Sequence, residues 1–171
     1  MAPDHVISCC GGGGLIAGVS LAIRSELPTA KIWAAEPADF DDTIRSLASG
    51  SIETVDPAAR SICDAVVTPA PGEMTFAINR TTLAGGFGVS DDLVLRGMAT
   101  AFQHLKLVIE PGGAVALAAA VVMMAAMEEG RSVGALASRR LSSERKELPV
   151  DCGSHGASAS TLIVARGSAL P

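Results

Sequence analysis

The chain has 171 residues, of which 49 % are hydrophobic, so it is long enough for one domain with a substantial core and too short for two. Its net charge of −5 and the lack of a basic stripe argue against nucleic acid as a partner. The four cysteines form neither a CxxC pair nor a disulfide framework, and the first residues lack a signal-peptide pattern, so we expect a reducing, cytoplasmic setting.

Four consecutive glycines near the start of the chain are its most informative feature. Residues 11–14 follow a short β-prone run, 6–10, and precede apolar residues at helical spacing that begin at Leu15. Glycines let a backbone approach a ligand closely, and the first N–H groups of a helix have no partner within the helix. The pattern predicts an anion site whose natural occupant is phosphate, and the alternative is an ordinary flexible turn.

The rest of the chain alternates between helical and strand-like segments. In chain order we expect a helix over 15–27, a strand over 31–35, a helix over 41–49, a strand over 64–68, a helix over 73–83, an extended piece at 87–89, a helix from Ser90, a helix within 114–127 and a strand over 132–137. This alternation predicts an α/β fold of three layers, with a mostly parallel sheet covered by helices on both faces. Ligands bind beyond the carboxyl ends of such strands, where Gly11, Glu36 and the loop after Thr68 fall.

Two of these helices carry specific expectations about burial. The apolar stretch 114–127 is shorter than the roughly 20 residues of a membrane span, so we interpret it as a core helix and expect no membrane. In the helix that begins at Ser90, a good N-cap, the apolar face is predicted to consist of Leu93, Leu95, Met98, Phe102 and Leu105.

Five blocks of sequence follow one another in a specific order: SCCGGGGLIAG, AAEPADFDD, DAVVTPAPGEMTF, VSDD and LKLVIEPGGAVALAA. Together they resemble successive landmarks of the fold-type II pyridoxal-phosphate enzymes, in particular the serine/threonine dehydratase (threonine ammonia-lyase) and serine racemase group. The resemblance covers about residues 3 to 137. It implies a lyase that converts a small hydroxy amino acid, L-threonine or L-serine, into a 2-oxo acid and ammonia.

The resemblance also implies which residues bind the cofactor, pyridoxal 5′-phosphate. Glu110 would lie close to the pyridoxal ring. The residues that would hold the cofactor phosphate are Gly11, Gly12, Gly13, Gly14 and the backbone of Leu15.

The block EPADFDD carries a separate expectation of a metal ion. It is similar to the divalent-ion loop of serine-racemase-like enzymes, which implies that Glu36, the carbonyl of Phe40 and Asp42 bind Mg²⁺ or Ca²⁺. Such hard cations prefer several oxygen ligands. The alternative is that these acids only complement the positive end of the following helix.

A lysine that could anchor the cofactor as a Schiff base is the feature the chain lacks. Lys31, Lys106 and Lys146 all stand outside the Ser-x-Lys-x-Arg-Gly setting in which the family places that lysine, before the glycine loop. We therefore expect the chain to be the C-terminal portion of a longer, homo-oligomeric enzyme, with residues 1–137 forming part of its large domain. The isolated chain is expected to be inactive.

The last part of the chain departs from the family. In place of a Ser-Gly-Gly-Asn turn, Ser138 is followed by Arg139 and Arg140, as a one-base shift of two glycine codons would produce. We expect residues 138–171, rich in Ser, Arg and Gly without periodicity, to be a divergent and largely disordered tail. The weaker alternative is that residues 152–154, Cys-Gly-Ser, supply the turn.

Three other functions stay open. One is a serine racemase-like isomerase, since the resemblance does not separate dehydration from racemisation. Another is a nicotinamide-dependent oxidoreductase, whose G-x-G-x-x-G fingerprint is met only loosely here. The last is a non-catalytic remnant, which the missing lysine would permit.

Overall fold

The structure is a computed structural model that describes residues 2–136, 140–141 and 162–165. Its strands are β1 (His5–Cys9), β2 (Lys31–Pro37), β3 (Gly85–Val89), β4 (Arg140–Leu141) and β5 (Leu162–Ala165). Its helices are α1 (Gly14–Glu26), α2 (Asp42–Ser49), α3 (Glu73–Thr82), α4 (Asp91–Thr100), α5 (Pro111–Glu128) and α6 (Val133–Leu136). A 3₁₀ turn spans Asp64–Val66, and a π-helical turn, Ala101–Leu105, extends α4.

The strands form a single sheet in the order β4-β3-β2-β1-β5. Strands β1 to β4 are parallel, with His5 opposite Lys31 and Ala35 opposite Phe87, and β5 is antiparallel to β1. Alternate strand residues enter two separate core clusters, as expected for a sheet buried on both faces. The predicted α/β fold with a mostly parallel sheet is confirmed.

The two core clusters differ in size. On one face, Ile16 of α1 packs with Val6 and Ile32. On the other, α4 and α5 cover Ile7, Trp33 and Phe87 with mostly small aliphatic side chains. By length and composition alone α5 could cross a membrane, but most of it is buried inside the structure, as is usual for the core helix of a soluble protein.

The apolar face of α4 differs from the prediction. Ser90 is the N-cap as expected, its Oγ accepting the N–H of Leu93 at 3.4 Å. The side chains of Leu95 and Phe102, however, are 53 % and 63 % exposed. Leu93 is buried and Met98 packs against the core, as predicted. The packed face also includes Val94 and Gly97, which the prediction left out, and a Cβ on Gly97 would lie 3.2 Å from the Ala114 carbonyl oxygen.

Two predicted strands are wrong. Residues 64–66 form the 3₁₀ turn, because Asp64 and Ala65 are exposed and the Val66 N–H bonds back to the Cys63 carbonyl at 3.0 Å. Residues 133–136, Val-Gly-Ala-Leu, form α6. Val133 is their only β-branched residue, and glycine and alanine are depleted in strands. The tail beyond residue 137 contributes β4 and β5 to the sheet, and its other residues lie outside the described ranges, so their disorder stays a prediction.

His5 makes the stability of this fold depend on pH. The Trp33 Nε1–H donates to His5 Nδ1 at 3.0 Å, and burial, followed by the nearby charge of Lys31, lowers the pKa of His5. In the unfolded chain the imidazole titrates near its ordinary pKa of about 6.5. The stability that neutral His5 contributes is therefore present above about pH 6.5 and is lost as the pH falls through the lowered pKa of the folded state.

We expect the stabilisation that His5 provides, measured as the urea unfolding midpoint of the original chain minus that of His5→Gln, to fall between about pH 7.5 and about pH 5.5. The fluorescence of the single tryptophan follows unfolding. His5→Gln keeps an acceptor for Trp33 but does not titrate, and the difference cancels the effect of the other titrating groups. His104→Gln, at an exposed position, is the control, and its midpoint should follow that of the original chain. A difference between the original chain and His5→Gln that does not change with pH would show that His5 does not cause the pH dependence.

Candidate functional site

The glycine loop, residues 11–14, connects β1 to α1 at the carboxyl edge of the sheet. Gly13 is the N-cap of α1 and has a left-handed backbone, with φ of 86°. Gly14 begins the helix and is exposed, and a Cβ there would meet nothing within 4 Å. The first N–H groups of α1 therefore lie at an open surface, because they have no acceptor within the helix. This is the geometry of an anion site at a helix N-terminus.

Helix α3 supports the glycine loop on the side that faces the protein interior. The Gly12 carbonyl accepts the Gly72 N–H at 3.2 Å and the Thr75 hydroxyl at 2.7 Å. The Gly13 carbonyl accepts the Nδ2–H of Asn79, a fully buried side chain, at 3.4 Å. Sequence reasoning missed Thr75 and Asn79, although Thr75 belongs to the block DAVVTPAPGEMTF, because no spacing rule relates α3 to a loop about 60 residues earlier.

The 3₁₀ turn and the start of α5 complete the same region. A Cβ on Gly11 would lie 3.2 Å from the backbone of Val66, and one on Gly112 would lie 2.9 Å from the Cβ of Ala65. Glu110 is exposed and is the N-cap of α5. The first turn of α5 packs on the 3₁₀ turn, and the same 3₁₀ turn contacts the glycine loop. Gly11 and the start of α5 thus contact the same 3₁₀ turn, and the position of Glu110 close to the pyridoxal ring stays a prediction.

The acidic loop forms a second, buried group. Glu36 is 0 % and Asp42 1 % exposed. The two oxygens of Glu36 accept the N–H groups of Thr43 and Ile44 at 3.2 and 2.9 Å, so the carboxyl caps the N-terminus of α2. Among the described residues, Asp42 Oδ2 has no hydrogen-bond partner.

Burial dominates the electrostatics of this group. It raises the pKa of Glu36 to about 8, against the lowering effect of the Thr43 and Ile44 donors. It also raises the pKa of Asp42 to about 6, and the nearby charge of Arg45 opposes that rise. A cation between the two carboxylates would offset the cost of burying them, and Asp42 Oδ2 is an unused ligand atom.

The third expected ligand, the carbonyl of Phe40, belongs to the turn between β2 and α2, in which the Phe40 N–H bonds to the Pro37 carbonyl at 2.8 Å. Within the described ranges, no three His, Cys, Asp or Glu side chains are grouped as a metal site. A metal here would therefore need backbone carbonyls or water beside Glu36 and Asp42.

The described lysines do not belong to the glycine-loop region. Lys31 is exposed at the first residue of β2, opposite His5, whereas the loop follows the last residues of β1, about 16 Å away along the strand. Lys106 is exposed, and its Nζ donates to the Gln103 carbonyl at 2.8 Å. Lys146 lies outside the described residues.

Comparison with known proteins identifies the family. Residues 1–138 match the family described as "Pyridoxal-phosphate dependent enzyme". The chain belongs to this family. The match supports pyridoxal phosphate over the nicotinamide alternative, and it agrees with the resemblance found in the sequence.

Individual relatives include both lyases and racemases. The serine racemase of Dictyostelium discoideum is 38 % identical over 117 residues, 68 % of this chain and 36 % of that protein. The L-threo-3-hydroxyaspartate ammonia-lyase of Saccharomyces cerevisiae is 35 % identical over 135 residues, 79 % of this chain and 41 % of that protein. The crystal structure of a threonine deaminase from T.th. has a TM-score of 0.67 and 37 % identity, covering 75 % of this chain and 44 % of that one. The chain thus spans about two fifths of the length of these proteins.

The glycine loop fits the phosphate group of the family's cofactor. Gly14 and the following Leu15 are exposed at the start of α1. The Cβ contacts of Gly11 and Gly13 fall on the packed side, against Val66 and Asn79. Side chains on Gly11 and Gly13 would therefore press on the groups that support the loop, while the side facing solvent stays accessible to a phosphate.

Proposed function

We propose that this chain forms the phosphate-binding part of a pyridoxal-phosphate-dependent ammonia-lyase that converts L-threonine or L-serine into a 2-oxo acid and ammonia. The observation that carries the proposal is the left-handed Gly13 at the N-terminus of α1, supported from behind by α3. As part of the same proposal, the complete enzyme acts in the cytoplasm as a homo-oligomer.

The chain's own residues bind and orient the cofactor in this proposal. Gly11, Gly12, Gly13, Gly14 and Leu15 supply backbone N–H groups to the phosphate, with the positive end of α1 adding to the attraction. Glu110 stands at the pyridoxal ring. When bound, the cofactor supplies the electron sink that acidifies the α-carbon of the amino acid.

Binding of a cofactor analogue tests the proposal. Pyridoxine 5′-phosphate carries an alcohol in place of the aldehyde, so it cannot react with surface amines. Calorimetric titration of the whole chain should show that it binds at least about tenfold more tightly than pyridoxine, because only the phosphate meets the helix N-terminus. Equal affinities for the two compounds would refute a phosphate site.

The second part of the proposal is a divalent cation, Mg²⁺ or Ca²⁺, bound by Glu36, the Phe40 carbonyl and Asp42. It is supported by two buried carboxyl groups and the unpartnered Asp42 Oδ2 within the described part of the chain. The simpler alternative is that Glu36 only caps α2, since its two oxygens already accept backbone N–H groups.

Melting curves separate these two interpretations. Ion binding adds about 2.7 kcal/mol to stability at a hundredfold excess over Kd, so Mg²⁺ or Ca²⁺ should raise the melting temperature of the chain. Asp42→Asn should abolish the rise. Asp92→Asn, the same change in the exposed first turn of α4, should retain it. Superimposable melting curves of the original chain with and without ion would refute the proposed metal site.

A serine racemase-like isomerase is the second candidate, because the serine racemase of Dictyostelium discoideum is among the relatives at 38 % identity. A non-catalytic remnant is the third. These three functions are distinguished by the products formed from L-serine by an enzyme that contains this chain together with a cofactor-bearing lysine. A lyase forms 2-oxo acid and ammonia, a racemase forms D-serine, and a remnant forms neither.

A further inference from the structure

The glycine loop and α3 are joined by three hydrogen bonds to two consecutive carbonyl groups. The Gly12 carbonyl accepts two donors from α3 and its N-cap, the Thr75 hydroxyl at 2.7 Å and the Gly72 N–H at 3.2 Å. The Gly72 carbonyl, at 2.9 Å, is a second and longer acceptor for the same Thr75 hydroxyl proton. The Gly13 carbonyl accepts the Asn79 Nδ2–H at 3.4 Å and also the Ala17 N–H at 3.0 Å. Both carbonyl groups are therefore directed toward α3 and the body of α1.

The directions of these two carbonyl groups determine the directions of the Gly13 and Gly14 N–H groups. In a planar trans peptide the C=O and the following N–H point in opposite directions. Because the Gly12 carbonyl points at α3, the Gly13 N–H points away from it. Because the Gly13 carbonyl points toward Asn79 and Ala17, the Gly14 N–H points out of the helix N-terminus, where Gly14 is exposed.

Asn79 is held in this place at a cost in stability. Its side chain is 0 % exposed, and within the described part of the chain its Oδ1 has no hydrogen-bond partner. A buried polar atom without a partner is unfavourable, so an apolar residue would suit the position better if packing were its only role. The retained amide donates to the Gly13 carbonyl.

We propose that Thr75 and Asn79 are positioning residues that aim the Gly13 and Gly14 N–H groups at the cofactor phosphate. They do not touch the phosphate themselves. Thr75 acts by fixing the Gly12–Gly13 peptide plane, which glycine alone would leave free to rotate. Asn79 adds to the Ala17 N–H of α1 in holding the Gly13–Gly14 plane. This inference rests on the proposed function, because it assumes that the loop binds a phosphate.

Substitutions at Thr75 test the inference. Thr75→Val removes the hydroxyl and keeps the shape, and we expect it to weaken pyridoxine 5′-phosphate binding about fivefold, the effect of about one net hydrogen bond. Thr75→Ser restores the hydroxyl and should bind within about twofold of the original chain. Thr81→Val is the matched control on α3, because the Thr81 hydroxyl bonds only to the Ile78 carbonyl in its own helix. Equal losses in Thr75→Val and Thr81→Val, or in Thr75→Val and Thr75→Ser, would overturn the proposal.

A measurement without ligand separates this inference from the proposed function. Residual dipolar couplings of the ¹⁵N-labelled chain report the directions of the Gly13 and Gly14 N–H bonds. The Gly13 N–H shares a peptide plane with the Gly12 carbonyl that bonds to Thr75, so it should reorient in Thr75→Val and stay unchanged in Thr75→Ser and Thr81→Val. The Gly14 N–H should stay unchanged in all three variants, because the Gly13 carbonyl bonds to Asn79 and Ala17 and not to Thr75. The proposed function fails if the original chain does not bind pyridoxine 5′-phosphate more tightly than pyridoxine. Independently of that result, unchanged couplings in Thr75→Val would show that Thr75 does not orient the loop.

Discussion

Replacing Gly13 by Ala should lower the free energy of unfolding by about 3 kcal/mol and abolish binding of pyridoxine 5′-phosphate. Gly13 has φ of 86°, where an L-residue costs roughly 1–2 kcal/mol. The new Cβ would also lie 2.8 Å from Asn79 Nδ2 and 3.0 Å from Thr75 Oγ1, and such overpacking costs about 1–3 kcal/mol. The substitution thus displaces the side chains that support the loop.

Gly14→Ala is the matched control for this prediction. Its Cβ would meet nothing within 4 Å, and alanine is favoured over glycine in a helix by about 0.5–1 kcal/mol. Urea unfolding should therefore show Gly14→Ala at least as stable as the original chain. If the two variants lost similar stability, the left-handed conformation of Gly13 would not be the cause.

The 171-residue chain with added pyridoxal phosphate should convert L-threonine to 2-oxobutyrate no faster than free pyridoxal phosphate does. The glycine loop provides binding energy, but catalysis also needs an amine that holds the cofactor and moves protons. Among the described residues, Lys31 lies at the opposite end of the strands and Lys106 is bonded to the Gln103 carbonyl.

Two variants make that result decisive. Turnover well above free cofactor would contradict the prediction, and its loss in Lys106→Ala but not in Lys31→Ala would identify an unconventional anchoring lysine. Turnover unaffected by both substitutions would direct attention to Lys146. The original chain should match both variants at the background rate.

The sheet and the position of the glycine loop could be predicted because they depend on local sequence. Strand-forming runs end just before the glycine loop and next to Glu36, in β1 and β2, and parallel pairing places these two strand ends at one edge of the sheet. The face of α4 could be predicted only in part. Leu93 is buried as helical spacing predicts, but Leu95 and Phe102 are exposed. Spacing does not show that Gly97 lies against Ala114 of another helix.

The support of the loop was equally hidden from sequence reasoning. Thr75 and Asn79 carry no motif, and their role depends on how α3 packs beside α1. In the acidic loop the residues were predicted, but their contacts were not. Its carboxylates were singled out because they cluster at a strand end and because the block resembles the family's divalent-ion loop. The sequence did not show that Glu36 would accept two N–H groups of α2, which gives the acid a structural role with or without a metal.

The central claim is that the N-terminus of α1 binds the phosphate group, and amide chemical shifts test it residue by residue. Inorganic phosphate added to the ¹⁵N-labelled chain should shift the N–H signals of Gly13, Gly14 and Leu15 most. Gly14 and Leu15 are exposed and their N–H groups have no acceptor within the helix. The Gly13 N–H points away from α3 because the Gly12 carbonyl bonds to Thr75. The largest shifts at the N-terminus of another helix, such as Asp91 and Asp92 of α4, with the glycine signals unmoved, would contradict the account.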